Sequence, residues 1–326
     1  MAGNASDREV FDPELRAALA VVGGVFPPTI TPELIPFMRC SYASPPREAL
    51  TAGLDVEIVD LEYLGHGGAP LAASIVSPSS QKLEGGVPLP TVLVFHSGGM
   101  MFGDRFSGLD TALAWVGDLG IRLVTVDYRL APEHPDPVPF EDCYAALAWV
   151  QREAAALGVR ADRLMLAGAS AGAGLAAGVA LAARDRGAGS LAGLILDYPM
   201  LDDRGRTASM REFDGVGVWD RVSNETGWAA LLGDRVGTDA VNPYAAPARA
   251  DDLTKLPPTF IDVGTAEVFR DEAVDFAARL WAAGVDAELH VWPGAFHACD
   301  IFAAHTAISR GMIGTRTDWL RRILID

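Results

Sequence analysis

The chain has 326 residues, 50% of them hydrophobic and 21% charged, the composition of an ordinary globular protein able to bury a large core. Its formal net charge of −17 argues against nucleic acid or an anionic membrane surface as a partner, because a protein that grips phosphates needs a basic face. Neutral or cationic small molecules fit better.

The cysteines Cys40, Cys143 and Cys299 are widely spaced, with neither metal-ligand pairing nor a disulfide framework. The first stretch, Met1 to Val10, carries Asp7, Arg8 and Glu9 and no apolar core, so it does not read as a secretion signal. A cytoplasmic location is the expectation. Next come two helix starts of one design, Asp12-Pro-Glu-Leu-Arg and Thr31-Pro-Glu-Leu-Ile, each with a capping residue before a proline. Val56 to Tyr63 and Leu71 to Val76 read as hairpin strands around the turn Gly65-His-Gly-Gly-Ala-Pro70. Thr91 to His96 and Arg122 to Val126 are short β-branched runs with a helix, Leu109 to Leu119, between them.

From there strands and helices alternate: helix Pro139–Leu157, strand Leu164–Ala167, helix Ala173–Arg184, strands Gly193–Leu196 and Thr259–Val263, helix Asp271–Ala283, strand Ala287–Trp292 and closing helix Ala304–Ile325. This rhythm specifies an α/β fold, a mostly parallel twisted sheet with helices on both faces. Leu201 to Ala250 breaks it, with one helix at Arg221–Leu232, and reads as an insertion over the carboxyl edge of the sheet. Leu164 to Ala183 is uncharged over a length that could span a bilayer, but it is mostly Ala and Gly. It is therefore expected to be a buried strand and helix, with no stable membrane anchoring.

The chemistry centres on Gly168-Ala-Ser-Ala-Gly172, a Gly-x-Ser-x-Gly run between strand and helix that predicts a nucleophile elbow presenting Ser170. A serine hydroxyl needs a general base, and the base needs an orienting carboxylate. Pro293-Gly-Ala-Phe-His297 follows the last predicted strand, which makes His297 the base; His66, His96, His134, His290 and His305 fit less well. Glu267, just past the strand Thr259–Val263, is the preferred acid, with Asp271 as its rival. The oxyanion of a tetrahedral intermediate needs amide donors, and Gly98 and Gly99 in His96-Ser-Gly-Gly-Met100, with Ala171 beyond the nucleophile, can supply them. Gly65-His-Gly-Gly68 has similar letters but sits in the hairpin turn and is assigned no chemistry.

These motifs, with Asp127-Tyr-Arg-Leu-Ala-Pro-Glu-His-Pro135, Glu141-Asp142 and Arg270-Asp-Glu272, resemble the bacterial hormone-sensitive-lipase-like family of α/β-hydrolase carboxylesterases from about Asp12 onward. The resemblance implies an eight-stranded sheet, a helical cap and hydrolysis of short- to medium-chain acyl esters through an acyl-enzyme intermediate, with no cofactor and no metal. It implies Ser170, His297 and Glu267 as the triad and Gly98, Gly99 and Ala171 as the oxyanion donors. Residues 1–50 would contribute helices to the cap, 201–250 would be its insertion, and 51–200 with 251–326 would form the catalytic core. Asp127, Arg129, Glu133, Glu141 and Asp142 are expected to form a buried ionic network bracing the oxyanion loop.

The chain departs from the family pattern at three places: Ser97 stands where glycine is usual, Ala169 replaces an Asp of the elbow, and Glu267 replaces an Asp. Met100, Met101, Phe102, Met210, Phe213, Trp219 and Trp228 are candidates to line an apolar substrate pocket. The expected partner is a small-molecule ester, and a homodimer through the closing strand or helix is a further expectation. Lactone or amide hydrolysis, acyl transfer, or a non-catalytic receptor on the same fold are the alternatives.

Overall fold

The computed structural model describes residues 10–24, 26–81 and 87–326. The expectation drawn from the residues before Val10 lies outside them. An eight-stranded sheet forms the centre: β1 (Val56–Leu64), β2 (Pro70–Pro78), β3 (Leu89–Phe95), β4 (Arg122–Val126), β5 (Val159–Ala169), β6 (Gly193–Asp197), β7 (Thr259–Gly264) and β8 (Ala287–Trp292). Its order is β1-β2-β4-β3-β5-β6-β7-β8. β1 and β2 form the antiparallel hairpin, in register from Val56 opposite Pro78 to Leu64 opposite Pro70, and β2 pairs antiparallel with β4. Every later pairing is parallel.

β4, β6 and β7 are buried at every residue, because helices cover both faces of a parallel sheet; that is why Leu-Val-Thr-Val and Gly-Leu-Ile-Leu read as continuous apolar runs. β3 lies between β4 and β5, so the chain leaves it toward one side of the sheet and later returns on the other. A crevice opens at the carboxyl ends of strands where order reverses in this way. The segments after β3 and β5 carry His96-Ser-Gly-Gly and Ser170.

The sequence pattern misplaces a few boundaries, each for a local reason. β5 starts at Val159 because the polar run Arg160 to Arg163 falls where the pairing with β3 slips between Leu89 and Thr91, and a bulge hides strand alternation. The following-strand helix Val138–Arg152 stops short of Leu157, whose segment folds back so that the Val159 amide donates to the Ala154 carbonyl at 2.7 Å. The closing helix runs from Ala307 to Leu324, starting three residues late because Thr306 caps it, and a separate short helix, Cys299–Phe302, precedes it. Asp12 caps Pro13–Val22 as its sequence predicts, accepting from the Glu14 and Leu15 amides. The Thr31 side chain caps no amide, and a single tight turn, Pro32–Leu34, leads into Ile35–Ser41.

Residues 201–250 contain the helices Ala208–Glu212 and Arg221–Leu232. Asp220 caps the second, accepting from the Ser223 amide at 2.8 Å, and its other oxygen accepts from Thr29 Oγ1 at 2.6 Å. The Ile30 amide donates to Ser223 Oγ at 2.8 Å. Hydrogen bonds thus join this segment to the amino-terminal one, although nearly two hundred residues separate them. Among the described residues no helix is long and apolar enough to cross a membrane, and Ala171 to Ala183 is buried throughout.

Candidate active site

β5 ends at Ala169 and the helix Ala171–Asp185 begins one residue later, which leaves Ser170 to make the whole turn. Its φ of 57° is in the left-handed region, a strained state for a residue with a Cβ. Surrounding bonds hold it there: the Ser170 amide donates to the Asp197 carbonyl at 2.8 Å, and its carbonyl accepts from Met200 at 3.1 Å. A Cβ on Gly168 would collide with the Gly172 carbonyl, and one on Gly172 with the Phe95 carbonyl, so strand and helix approach this closely only with glycine at both places.

His297 reaches the elbow from the loop after β8. Its Nε2 lies 3.0 Å from Ser170 Oγ, and its Nδ1 lies 2.6 Å from Glu267 Oε2. A carboxylate only accepts, so the proton of the neutral ring sits on Nδ1, leaving Nε2 to receive the serine proton. The other Glu267 oxygen accepts from the Gly264 amide at 2.8 Å, which fixes the carboxylate in turn. The rings of Tyr198 and Phe269 stand edge-on to the imidazole with centroids at 4.9 and 5.1 Å, fixing its plane. All three members are buried. Asp271 is directed elsewhere: it accepts from the Ser209 amide at 2.7 Å and pairs with Arg270.

Gly98 and Gly99 have φ of 116° and 60° in the turn after β3. A Cβ on Gly98 would strike the Phe102 carbonyl and one on Gly99 the Trp219 ring, so the turn requires both glycines. Among the described residues neither of these amides donates to an acceptor of the chain, and Ala171 opens its helix, where first-turn amides lack intrahelical partners. The decoy Gly65–Gly68 stays in the hairpin, where Asp142 holds the His66 amide at 2.8 Å.

Between these groups is a narrow cleft, partly open to solvent, bounded by Ser170, His297, Gly98 and Gly99. Of the seven expected wall residues, Phe102 and Trp219 line it. Met100, Met101, Met210, Phe213 and Trp228 are instead packed in the core behind it. Met100 is itself in a left-handed turn, with φ 63°, and Arg39 holds the Met101 carbonyl at 2.9 Å, so the chain bends away before their side chains reach the cavity. The remaining aromatic wall is Phe26 and Tyr42 from the amino-terminal segment and Phe302 from beyond His297. Apolar positions in short helices look alike whether they face a core or a cleft, so no signal in the sequence singles these out.

The expected ionic network is four separate pairs. Asp127 pairs with Arg105, Arg129 with Asp142, Glu133 with Arg39 and Glu141 with Arg186. Only Arg39 touches the oxyanion segment, through the Met101 carbonyl, and only Asp142 is fully buried. The deeply buried ionic centre lies elsewhere, around Arg316 of the closing helix. Asp197 at the end of β6, Asp262 in β7 and Asp300 approach its guanidinium at 2.7, 3.1 and 2.9 Å. The shortest of these contacts, Nε to Asp197 Oδ1, lacks hydrogen-bond alignment. Burial first, then the neighbouring acids, pushes the Asp197 carboxyl well up against the pull of Arg316, and Asp262 is pushed up to about 6. Among the described residues no group of His, Cys, Asp and Glu is arranged to hold a metal ion.

A strand-turn-helix serine, a loop imidazole and a carboxylate after the next-to-last strand, at the switch point of a mostly parallel eight-stranded sheet, define an α/β-hydrolase. A family model described as alpha/beta hydrolase fold matches residues 92–301, and the chain belongs to that family, the hormone-sensitive-lipase-like group that its motifs resemble. It is 33% identical to esterase LipI of Mycobacterium tuberculosis over 271 residues, covering 80% of this chain and 82% of the relative. It is 36% identical to carboxylesterase NlhH of the same species over 235 residues, 69% and 72% of the two chains. Among solved structures, a bacterial heroin esterase superposes with a TM-score of 0.88 at 35% identity, covering 97% of this chain and 99% of that one. Esterase LipW from Mycobacterium marinum gives 0.86 at 33% identity, covering 98% and 97%.

Proposed function

We propose that the chain hydrolyses short- to medium-chain acyl esters with Ser170 as nucleophile, His297 as general base and acid, and Glu267 as the carboxylate that orients the imidazole. It is a carboxylic ester hydrolase of the α/β-hydrolase fold, as its family and esterase relatives indicate. The observation that carries the mechanism is the continuous relay Ser170 Oγ–His297–Glu267, at 3.0 and 2.6 Å, beside unoccupied amides. In this reading His297 takes the serine proton as Oγ attacks the ester carbonyl, and the Gly98, Gly99 and Ala171 amides receive the developing oxyanion. Imidazolium then protonates the leaving alcohol, an acyl-serine remains, and water activated by the same imidazole releases the acid.

The dimensions of the cavity support a short acyl preference, with acetate and butyrate esters of p-nitrophenol favoured over long chains. A panel of acyl lengths tests it, and a maximum beyond about ten carbons would overturn it, since a longer chain needs a larger apolar cleft. A fluorophosphonate probe should label the wild-type protein and fail on Ser170→Ala, whose turnover should fall by about 10⁴ or more. Labelling without turnover of any ester would favour a receptor.

The hydrogen-bonded amino-terminal segment and residues 201–250 support a shared cap over the core formed by 51–200 and 251–326. The exposed edge of β8, with Val291 at 38% and Trp281 nearby at 50%, supports a homodimer through this face, which light scattering on the eluting protein would test. Three unpaired cysteines, two of them buried, support a reducing compartment such as the cytoplasm.

A further inference from the structure

We propose that the hydroxyls of Ser97 and Tyr42 form a polar subsite in the cavity, which selects esters carrying a second hydrogen-bond-accepting oxygen near the scissile bond. The inference rests on the esterase reading above and names a substrate class for it. Ser97 directly precedes the oxyanion glycines and stands where the resembled family has no side chain. Tyr42 comes from the amino-terminal segment, and its Oη lies 2.7 Å from Ser97 Oγ. Both residues line the same cavity as Ser170 and His297, on a wall otherwise made of Phe26, Phe102, Val218, Trp219 and Phe302.

The donor count points to a ligand. Two hydroxyls bring two protons, and their mutual bond uses one. Among the described residues neither oxygen has another hydrogen-bond partner. The neighbouring Ser97 carbonyl is already engaged by His96 Nδ1 at 2.7 Å. Ser97 is only 6% exposed, so bulk water does not satisfy the second proton freely. Burial pushes the Tyr42 phenol up to about 12, which keeps both protons in place at neutral pH. A buried donor without an acceptor is costly, and a substrate oxygen set among the aromatic rings removes that cost. The ester carbonyl is directed to the glycine amides, so this acceptor is a different atom: an ether or carbonyl oxygen on the acyl or on the alcohol portion.

The test compares isosteric pairs. p-Nitrophenyl methoxyacetate and butyrate differ by an oxygen in place of a methylene on the acyl side, as 2-methoxyethyl acetate and butyl acetate do on the alcohol side. kcat/KM is measured for all four with wild type, Ser97→Ala and Tyr42→Phe, and the wild-type-to-variant ratio cancels intrinsic reactivity. In one arm, Ser97→Ala should lose about three- to tenfold more on the methoxy ester than on its hydrocarbon partner, the scale of one neutral hydrogen bond. Tyr42→Phe should lose less in that same arm, because Ser97 keeps its proton and loses only its orienting partner. Equal losses on both members of each pair, or no loss, would overturn the subsite and leave the two hydroxyls as a tether. If wild type hydrolyses none of the four, the esterase reading itself fails; if Ser170→Ala abolishes turnover of all four and no differential is seen, the subsite alone fails.

Discussion

Two buried groups of ionisable side chains lie beneath the carboxyl edge of this sheet, and they use similar ingredients differently. In the relay, one carboxylate, one imidazole and one hydroxyl are joined end to end, and the last faces a cavity. Around Arg316, three carboxylates surround a guanidinium that holds its charge at any ordinary pH. In the first, His297 Nε2 can take the Ser170 proton while Glu267 stays an acceptor that holds the ring. The second offers no imidazole or hydroxyl that could hand a proton to a substrate, and it ties the closing helix to β6 and β7. Burial and charge alone therefore do not identify a catalytic site; a movable proton next to open space does.

Glu267→Gln is the sharpest way to break this contrast. An amide can donate to Nδ1 and so favour the ring form whose Nε2 carries the proton, which removes the base. Turnover of p-nitrophenyl butyrate should fall by about 10³ to 10⁴ while the melting temperature changes little. Glu267→Asp should recover part of the rate if the loop can move inward. If Glu267→Gln lost stability and kept its rate, the two clusters would have exchanged roles.

Arg316→Met tests the other side. It leaves Asp197, Asp262 and Asp300 buried without their cation, and breaking a buried pair in this way costs about 3–5 kcal/mol. Denaturant midpoints should drop accordingly, while the fraction still folded should be labelled by a fluorophosphonate at close to the wild-type rate.

The same contrast explains what the sequence made legible. The elbow could be read because its demands fall on adjacent residues: the turn at Ser170 needs glycine at 168 and 172, and strand and helix patterns flank it. His297 could be read because it follows the last strand in a short loop. The Arg316 cluster draws single residues from two strands and two helices, each unremarkable in its own segment, so only the folded register brings them together. The expected network around Asp127 and Arg129 failed for the converse reason. Of its members only Arg129 and Asp142 pair with each other, while Asp127, Glu133 and Glu141 each found an arginine from another segment. The aromatic wall of the cavity was hidden in the same way, since Phe26, Tyr42 and Phe302 meet only across the fold.

A smaller effect separates the clusters by pH. Burial pushes the Asp262 carboxyl up to about 6, from roughly 4 for an aspartate in water. The folded state therefore holds a proton that the unfolded state has released between pH ~4 and ~6, and the stability from this group is lost as pH rises through that window. Asp262→Asn has no such proton to lose. The difference in melting temperature, wild type minus variant, should fall across this interval and level off above it; a flat difference would mean that Arg316 alone sets the charge of Asp262.

The smallest effect concerns the open space itself. The Trp219 ring abuts Gly99 and lies 6.3 Å, centroid to centroid, from Phe102, closing the cavity beside the oxyanion turn. Trp219→Ala adds volume where a growing acyl or alcohol chain would meet the ring, and each extra buried methylene is worth up to about 1 kcal/mol. The ratio of kcat/KM for octanoate over butyrate should rise about three- to tenfold, less than that transfer energy permits because the longer chain loses rotational freedom on binding. The thermal contribution of the Arg316 cluster should not change, since Trp219 makes no part of it. A ratio that stays constant would place the growing chain against another wall, with Phe26 and Phe302 the next to shorten.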